Sequence, residues 1–182
     1  MTQPISLRSL TPTPAAGFEQ PFEMLEACHE RVHRMLTLLA RLRAHLREHG
    51  ADVQAQQAAR DVMRYFDQAA PQHHLDEELH VFPPLLAQGD ARIVPVVQRL
   101  QQDHLQMESR WQAAREVLVL IAQAQVQHLS AGDEACLDAF AGGYDDHIRA
   151  EEEIAYPAAQ ALLDEPARTA MSKDMMHRRG AG

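Results

Sequence analysis

Two segments of this chain repeat one pattern, and that pattern constrains the fold more than any other feature. Residues 73–83 read HHLDEELHVFP and residues 147–157 read HIRAEEEIAYP. In each, a histidine is followed by a glutamate four residues later and then by an aromatic residue and a proline. Residues four apart share one face of an α-helix, with Cβ atoms about 6 Å apart, so each segment presents an imidazole and a carboxylate together. The repeat predicts two helices that face a shared site.

Apolar residues recur at intervals of three and four along four parts of the chain, which predicts four long helices. Short connections between long helices favour antiparallel neighbours, so the predicted fold is all-α, an up-down-up-down four-helix bundle. The predicted helices cover about 21–50, 52–81, 91–125 and 134–155, and one more turn follows Pro157.

Prolines set the expected limits of the second helix. Asp52 is a suitable N-cap at its start, because a short carboxylate can accept a hydrogen bond from the first turn. Pro71 lies inside the helix and should kink or break it at a cost of about 3 kcal/mol. The Phe82-Pro83-Pro84 sequence is expected to stop the helix near Val81.

Composition indicates one domain with two flanking segments. The 182 residues are 46% hydrophobic, which is enough for one compact core. Residues 1–20 carry three prolines and no periodicity, which predicts a disordered or loosely packed arm. Residues 21–163 form the predicted bundle, and residues 164–182 form a polar C-terminal tail to which the sequence assigns no role.

Charge and cysteine usage exclude several classes of protein. A net charge of −9 argues against a surface that binds nucleic acid or an anionic membrane. No apolar stretch approaches the roughly 18 residues of a membrane span, and the first residues lack the features of a signal peptide, so we expect a cytoplasmic protein. Cys28 and Cys136 are not part of a CxxC motif, so we expect ordinary reduced thiols.

Every predicted helix carries a histidine with a polar residue four positions later. The pairs are His29 with His33, His73 with Glu77, His104 with Glu108, and His147 with Glu151. A lone histidine on an amphipathic helix is more often a hydrogen-bonded surface or core residue than a metal ligand. Surface histidines, however, have no reason to keep the register that the two repeated segments share.

The ligand types indicate the class of metal. Imidazole and carboxylate without thiolate suit iron, manganese or zinc, and two carboxylates among several histidines suit a pair of irons better than a single ion. One choice of register stays open, because His74 and Glu78 have the same spacing as His73 and Glu77. Only the distance to the following proline favours His73 and Glu77.

This arrangement resembles the hemerythrin/HHE cation-binding family. The family pattern has a histidine on helix 1, HxxxE before an aromatic residue and proline on helix 2, a histidine on helix 3, and HxxxE or a close variant on helix 4. The resemblance covers about residues 21–163 and implies a hemerythrin-like bundle that binds two iron ions bridged by carboxylates, although zinc or manganese would also suit. The implied ligands are His29, His73, Glu77, His104, His147 and Glu151, with Glu77 and Glu151 as the bridges.

The chain departs from the oxygen-carrying members of that family at two positions. Those members have a second histidine on helix 3 where this chain has Glu108, and an aspartate five residues after the helix 4 histidine where this chain has Glu151 after four. Glu108 is therefore a seventh candidate ligand, or alternatively a residue that lies behind the ligands. A carboxylate in place of a neutral ligand favours the ferric state, so the chain looks more like the bacterial and regulatory HHE proteins.

The resemblance allows three functions. The first is binding of oxygen, nitric oxide or peroxide for sensing, scavenging or storage. The second is an iron-dependent enzyme or an iron donor in repair of iron-sulfur clusters; family members with that role often carry a cysteine-containing N-terminal domain, and residues 1–20 contain no cysteine. The third is a metal-clamped structural or regulatory bundle. We expect a small diatomic ligand or peroxide as partner and a monomer or homodimer, while no protein partner is indicated.

Overall fold

The computed structural model of the chain describes residue 17 and residues 19–88 and 91–180. Within these ranges every regular element is helical, which confirms the predicted all-α bundle. The α-helices are α1 (Pro21–His49), α2 (Val53–Asp76), α3 (Phe82–Gln88), α4 (Ile93–Ala122), α5 (Ala131–Ala141), α6 (Asp145–Ala150), α7 (Tyr156–Leu162) and α8 (Glu165–Arg178). A first π-helical segment (Glu77–Val81) joins α2 to α3, and a second (Glu151–Ala155) joins α6 to α7. Across the described residues, none of the helices is long and apolar enough to cross a membrane.

The turn between α1 and α2 follows from two residue types. Gly50 has a φ of +70°, a left-handed conformation that is costly for a residue with a Cβ. The Asp52 carboxylate accepts a hydrogen bond of 2.9 Å from the backbone N–H of Ala55, so the predicted N-cap of α2 is confirmed. The turn is therefore short and well defined.

The predicted end of the second helix was wrong. The chain stays helical past Val81, and Pro83 and Pro84 lie inside α3. The first π-helical segment explains the difference, because a new α-helical segment begins at Phe82 and both prolines fall in its first turn, where a missing N–H is tolerated. Pro71 does not break α2, which continues from Val53 to Asp76. Pro157 occupies the first turn of α7 in the same way.

The chain divides into two compact units. The described part of the first unit contains residues 31–70 and 106–143. Its core includes a cluster of three aromatic rings from α2, α4 and α5, with centroids 4.9 Å apart for Phe66 and Phe140 and 5.2 Å apart for Phe66 and Trp111. Arg43 of α1 forms ion pairs of 2.5 Å with Glu134 and 2.6 Å with Asp138 of α5. This unit is held by apolar packing and by charge pairs at its surface.

The second unit contains, within the described part of the chain, residues 17, 19–30, 71–88, 91–105 and 144–180. Its apolar core is built from α1, α3, α4, α6, α7 and α8 and from both π-helical segments. Phe82 and Tyr156, the aromatic residues of the two repeated sequence segments, are both buried in it. All the histidines and glutamates of the candidate site described below also belong to this unit.

Residues 164–182, which the sequence assigned to a polar tail, contain the helix α8. Asp164 caps it by accepting a hydrogen bond of 2.9 Å from the backbone N–H of Ala167. Met171 and Met175 are fully buried in the core of the second unit, so this segment is an integral element there. The methionines are spaced four apart, which buries one face of an otherwise polar helix. The predicted N-terminal arm, residues 1–20, lies almost wholly outside the described residues.

Candidate metal centre

Six of the seven predicted site residues come together in the second unit. His29 comes from α1, His73 from α2, His104 from α4 and His147 from α6, while Glu77 and Glu151 each begin a π-helical segment. None of the six side chains is more than 7% exposed. Buried charged groups are rare unless they are paired or bind a metal. Their burial therefore marks a site rather than a surface.

Both glutamates lie at the start of a π-helical turn. The backbone N–H of Phe82 bonds to the carbonyl of Glu77, and the backbone N–H of Tyr156 bonds to the carbonyl of Glu151. These hydrogen bonds span five residues instead of four, so the helix widens for one turn beginning at each glutamate. Such turns are frequent at functional sites.

One group of ligand atoms, here called the first position, is formed by residues of α1, α2 and both π-helical segments. It consists of His29, His73, Glu77 and Glu151, whose potential ligand atoms all lie within 4.8 Å of one another. The Nε2 atoms of His29 and His73 are 3.0 Å apart. His29 Nε2 is 3.2 Å from Glu151 Oε2, and His73 Nε2 is 3.3 Å from Glu77 Oε1. Two imidazoles and two carboxylates thus converge.

A second group, the second position, consists of His104, His147 and Glu151. His147 Nε2 is 2.9 Å from Glu151 Oε1, and His104 Nε2 is 3.7 Å from the same oxygen. Glu77 also reaches this group, because its Oε2 is 3.4 Å from His104 Nε2. Each glutamate therefore directs one oxygen to the first position and the other to the second.

Three of the histidines also contact carboxylates on the side away from these positions. Such contacts fix the ring orientation of metal-binding histidines and raise their basicity. The contacts are His29 Nδ1 with Glu152 Oε1 at 2.9 Å, His104 Nδ1 with Glu78 Oε1 at 2.9 Å, and His147 Nδ1 with Asp103 Oδ2 at 3.4 Å. Each Nε2 is left to face the interior of the site.

The interior atoms fit a cation. Several buried polar atoms there have no hydrogen-bond partner among the described residues: Nε2 of His104 and His147, Oε2 of Glu77, and both carboxylate oxygens of Glu151. Unpaired buried polar atoms are costly, and native proteins keep them only for a reason such as an ion. Bound metal would give these atoms a partner.

Protons on the histidines offset the negative charge of the two buried glutamates. Burial alone would lower the pKa of His29, but its contacts with Glu151 and Glu77 outweigh burial and raise the pKa to about 9. The same balance, with contacts to both glutamates, raises the pKa of His104 to about 10. Burial and the neighbouring charged rings lower the pKa of His73 to about 4, although Glu77 opposes this. The histidines hold the pKa of Glu151 well below its usual range despite burial. The metal-free site thus holds protons where cations would lie.

The structure distinguishes the two candidate pairs that the sequence left open, His73 with Glu77 and His74 with Glu78. His73 and Glu77 face the first position, whereas His74 lies beside the site with its ring stacked on that of His104 at a centroid distance of 4.1 Å. Glu78 contacts the outer nitrogen of His104, as described above. The alternative pair therefore supports the site without facing its interior.

Glu108, the seventh candidate, does not join the site. Its side chain is exposed, and the residue belongs to the first unit. The buried stripe of α4 passes through Leu100, His104, Met107 and Trp111, and Glu108 is one position off that stripe. His33 of α1 is exposed as well. The spacing of four is present in both pairs, but it did not predict that the second residue of each pair lies outside the buried part of the helix.

Tyr156 is a site residue that the sequence reasoning missed. Its hydroxyl donates a hydrogen bond to Glu77 Oε1 and lies 3.2 Å from Nε2 of His29. From the sequence pattern, the aromatic residue before each proline was interpreted only as part of a helix terminator. The available signal was that one segment has phenylalanine at this place and the other tyrosine.

Fold and site together define a metal-binding helical protein. Residues 20–159 match the family model described as the hemerythrin HHE cation binding domain, and the chain belongs to that family. A protein of Haemophilus influenzae (strain Rd) is 32% identical over 177 residues, covering 95% of this chain and 98% of the relative. That relative is described only as an uncharacterized protein.

Proposed function

We propose that this chain binds two iron ions in the second unit and reacts there with a small oxidising ligand, namely oxygen, nitric oxide or peroxide. The observation that carries the proposal is the pair of glutamates shared between two groups of histidines. Glu77 and Glu151 each direct one oxygen to His29 or His73 and the other to His104 or His147. That is the arrangement expected of two carboxylates that bridge two ions.

The proposed ligands are His29, His73, Glu77 and Glu151 at the first position and His104, His147, Glu151 and Glu77 at the second. A pair of irons would supply exchangeable electrons and open coordination positions. The protein excludes bulk water, because the six side chains are at most 7% exposed. Burial of this kind limits the exogenous ligand to a few atoms.

The outer carboxylates favour oxidation over simple oxygen carriage. Glu152, Glu78 and Asp103 contact the outer nitrogens of three of the histidines. Hydrogen bonds from a histidine to a carboxylate make the ring a stronger donor, which stabilises the more highly charged metal state. These three carboxylates, and not the exposed Glu108, thus favour a centre that is oxidised and then re-reduced.

The test is metal analysis of the purified chain followed by oxidation of the ferrous form. We expect about two irons per chain, together with a visible absorption change when oxygen, nitric oxide or peroxide is added. Glu151→Gln should lose most of the iron, because both positions share that carboxylate. Glu153→Gln is the matched control, since Glu153 is exposed on the same π-helical segment. A colourless preparation containing only zinc would refute the iron proposal.

Two other functions would use the same site, and assays of the same purified chain distinguish them. Sustained turnover of peroxide, or restoration of a damaged iron-sulfur cluster with loss of iron from the chain, would indicate an enzyme or an iron donor. Metal-dependent stability without any spectral response to oxidants would indicate a metal-clamped structural bundle. Rapid oxidation without turnover supports binding and sensing.

A further inference from the structure

The two repeated segments differ in one chemically important group. Phe82 stacks on His104 with a centroid distance of 5.5 Å, and Tyr156 stacks on His29 with the same centroid distance of 5.5 Å. Both rings are fully buried, and both residues bond through their backbone N–H to the glutamate carbonyl of their own segment. The arrangement is thus repeated at the two positions, except that only Tyr156 carries a hydroxyl.

That hydroxyl acts on one position only. It donates to Oε1 of Glu77, the oxygen that faces the first position, and lies 3.2 Å from Nε2 of His29. The other three oxygens of Glu77 and Glu151 lie against histidine Nε2 atoms instead: Glu151 Oε2 is 3.2 Å from His29, Glu151 Oε1 is 2.9 Å from His147, and Glu77 Oε2 is 3.4 Å from His104. At the second position the corresponding ring, that of Phe82, has no group that could donate. A histidine nitrogen stops donating once it binds a metal, so Glu77 Oε1 is the one oxygen of the four that these contacts still hold when the ions arrive.

We infer that Tyr156 is a positioning residue that makes the two metal positions unequal, so that the first position binds its ion more tightly than the second. A ligand held in the binding orientation loses less freedom when the ion binds, and a hydrogen bond from a neighbouring residue is the usual means of holding it. This inference rests on the proposed two-ion site. It adds that the order of filling is set by a single hydroxyl.

The experiment is a titration of the metal-free chain with zinc, a redox-inactive ion. Because zinc is colourless, binding is measured by calorimetry. We expect wild type to bind two ions in two unequal steps. Tyr156→Phe should weaken the tighter step by about 10-fold to 100-fold, the usual effect of removing an outer hydrogen bond from a metal ligand, and leave the weaker step unchanged. Tyr65→Phe is the matched control, since it removes a hydroxyl from a half-buried tyrosine of the first unit.

A second measurement leaves Tyr156 in place. In a chain carrying Tyr65→Phe and Tyr144→Phe, the near-ultraviolet absorption of the remaining tyrosine, Tyr156, should change as its hydrogen-bonded partner binds zinc, and the change should be complete when the first step is complete. This decides the question even if Tyr156→Phe does not fold. A purely structural hydroxyl would weaken both steps alike and give no signal confined to the first.

The outcomes separate this inference from the proposed function. If wild type binds fewer than two zinc ions, the two-ion site itself fails, and this inference fails with it. If wild type binds two ions but Tyr156→Phe weakens both steps equally or neither, the inference is overturned while the two-ion site stands. A tyrosine signal that grows through both steps also overturns it.

Discussion

Loading the site with metal should release protons, and the structure gives their number. A histidine binds metal only as the neutral ring, and the pKa values of His29 and His104 are raised to about 9 and about 10 by the two glutamates. His73, with a pKa lowered to about 4, is already neutral at pH 7.5. Glu151 is already ionised, since its pKa is held well below the usual range. We therefore expect about two protons to be released at pH 7.5.

The release should depend on pH in a defined direction. Below pH 9 both raised rings hold protons, so the apparent affinity for the metal pair should rise about 100-fold per pH unit. Between pH 9 and pH 10 only His104 still holds one, and the rise should fall to about tenfold. Above pH 10 the affinity should level off.

The assay is calorimetry of zinc binding in buffers of different ionisation enthalpy, whose slope counts the protons. His29→Gln should lower the count at pH 7.5 by about one. His33→Gln, which changes an exposed histidine of the same helix, should leave the count unchanged. A wild-type count below one, or a count that is the same at pH 7.5 and pH 10.5, would refute the reasoning.

The metal-free protein should respond to pH with the opposite sign. The folded-state pKa values of His29 and His104 lie above the ordinary value of 6.5, so their contribution to stability is fully present below pH 6.5. It is lost as pH rises through about 9 and about 10. The melting temperature of metal-free protein should therefore fall over that window, and that of the zinc-loaded protein should fall less.

Five further variants each change a single position. His73→Ala should lose about half of the bound metal by elemental analysis, whereas His74→Ala should keep most of it. Glu108→Gln should leave metal content and melting temperature unchanged. Asp76→Asn should lower the free energy of unfolding by roughly 3 to 5 kcal/mol in urea, because it breaks the buried ion pairs of 2.5 Å with two arginines at the C-terminal end of α8. Phe66→Ala should cost about 3 to 5 kcal/mol through a cavity in the first unit, and the metal content of the folded fraction should not change.

Each of these has a contrary result. Loss of metal from His74→Ala but not from His73→Ala would reverse the register. Loss of metal from Glu108→Gln would return that residue to the ligand set. Urea midpoints for Asp76→Asn or Phe66→Ala that match wild type would show that the contacts described for them contribute little.

The ligand-bearing segments could be predicted because their geometry is local. His147 and Glu151 share a helix face whatever surrounds the helix, since the spacing of four fixes that face. Glu108 has the same spacing from His104 and was predicted with the same logic, yet it is exposed. Spacing states which residues share a face, but the packing of neighbouring helices decides which residues of that face are covered.

The prolines show a second limit of local reasoning. Pro83 and Pro84 are strong helix terminators by propensity, and the expected end of the helix at Val81 followed from that. The chain instead widens into a π-helical turn and starts a new helix, because burial of Val81, Phe82 and Leu85 in the core of the second unit offsets the lost hydrogen bonds. Propensity does not include that burial energy.

The sequence by itself determined the helical class, the family, and the histidines and glutamates that can share a helix face, because all of these depend on the periodicity of a helix. Only the tertiary structure decided that Glu108 lies outside the site, that α8 packs into the core, and that the Tyr156 hydroxyl meets Glu77. These are contacts between helices distant in sequence, and they depend on how side chains fill a common core. The difference between Phe82 and Tyr156 is visible in the sequence. Its effect on the site follows only from the tertiary structure, in which each ring stacks on a histidine of the site.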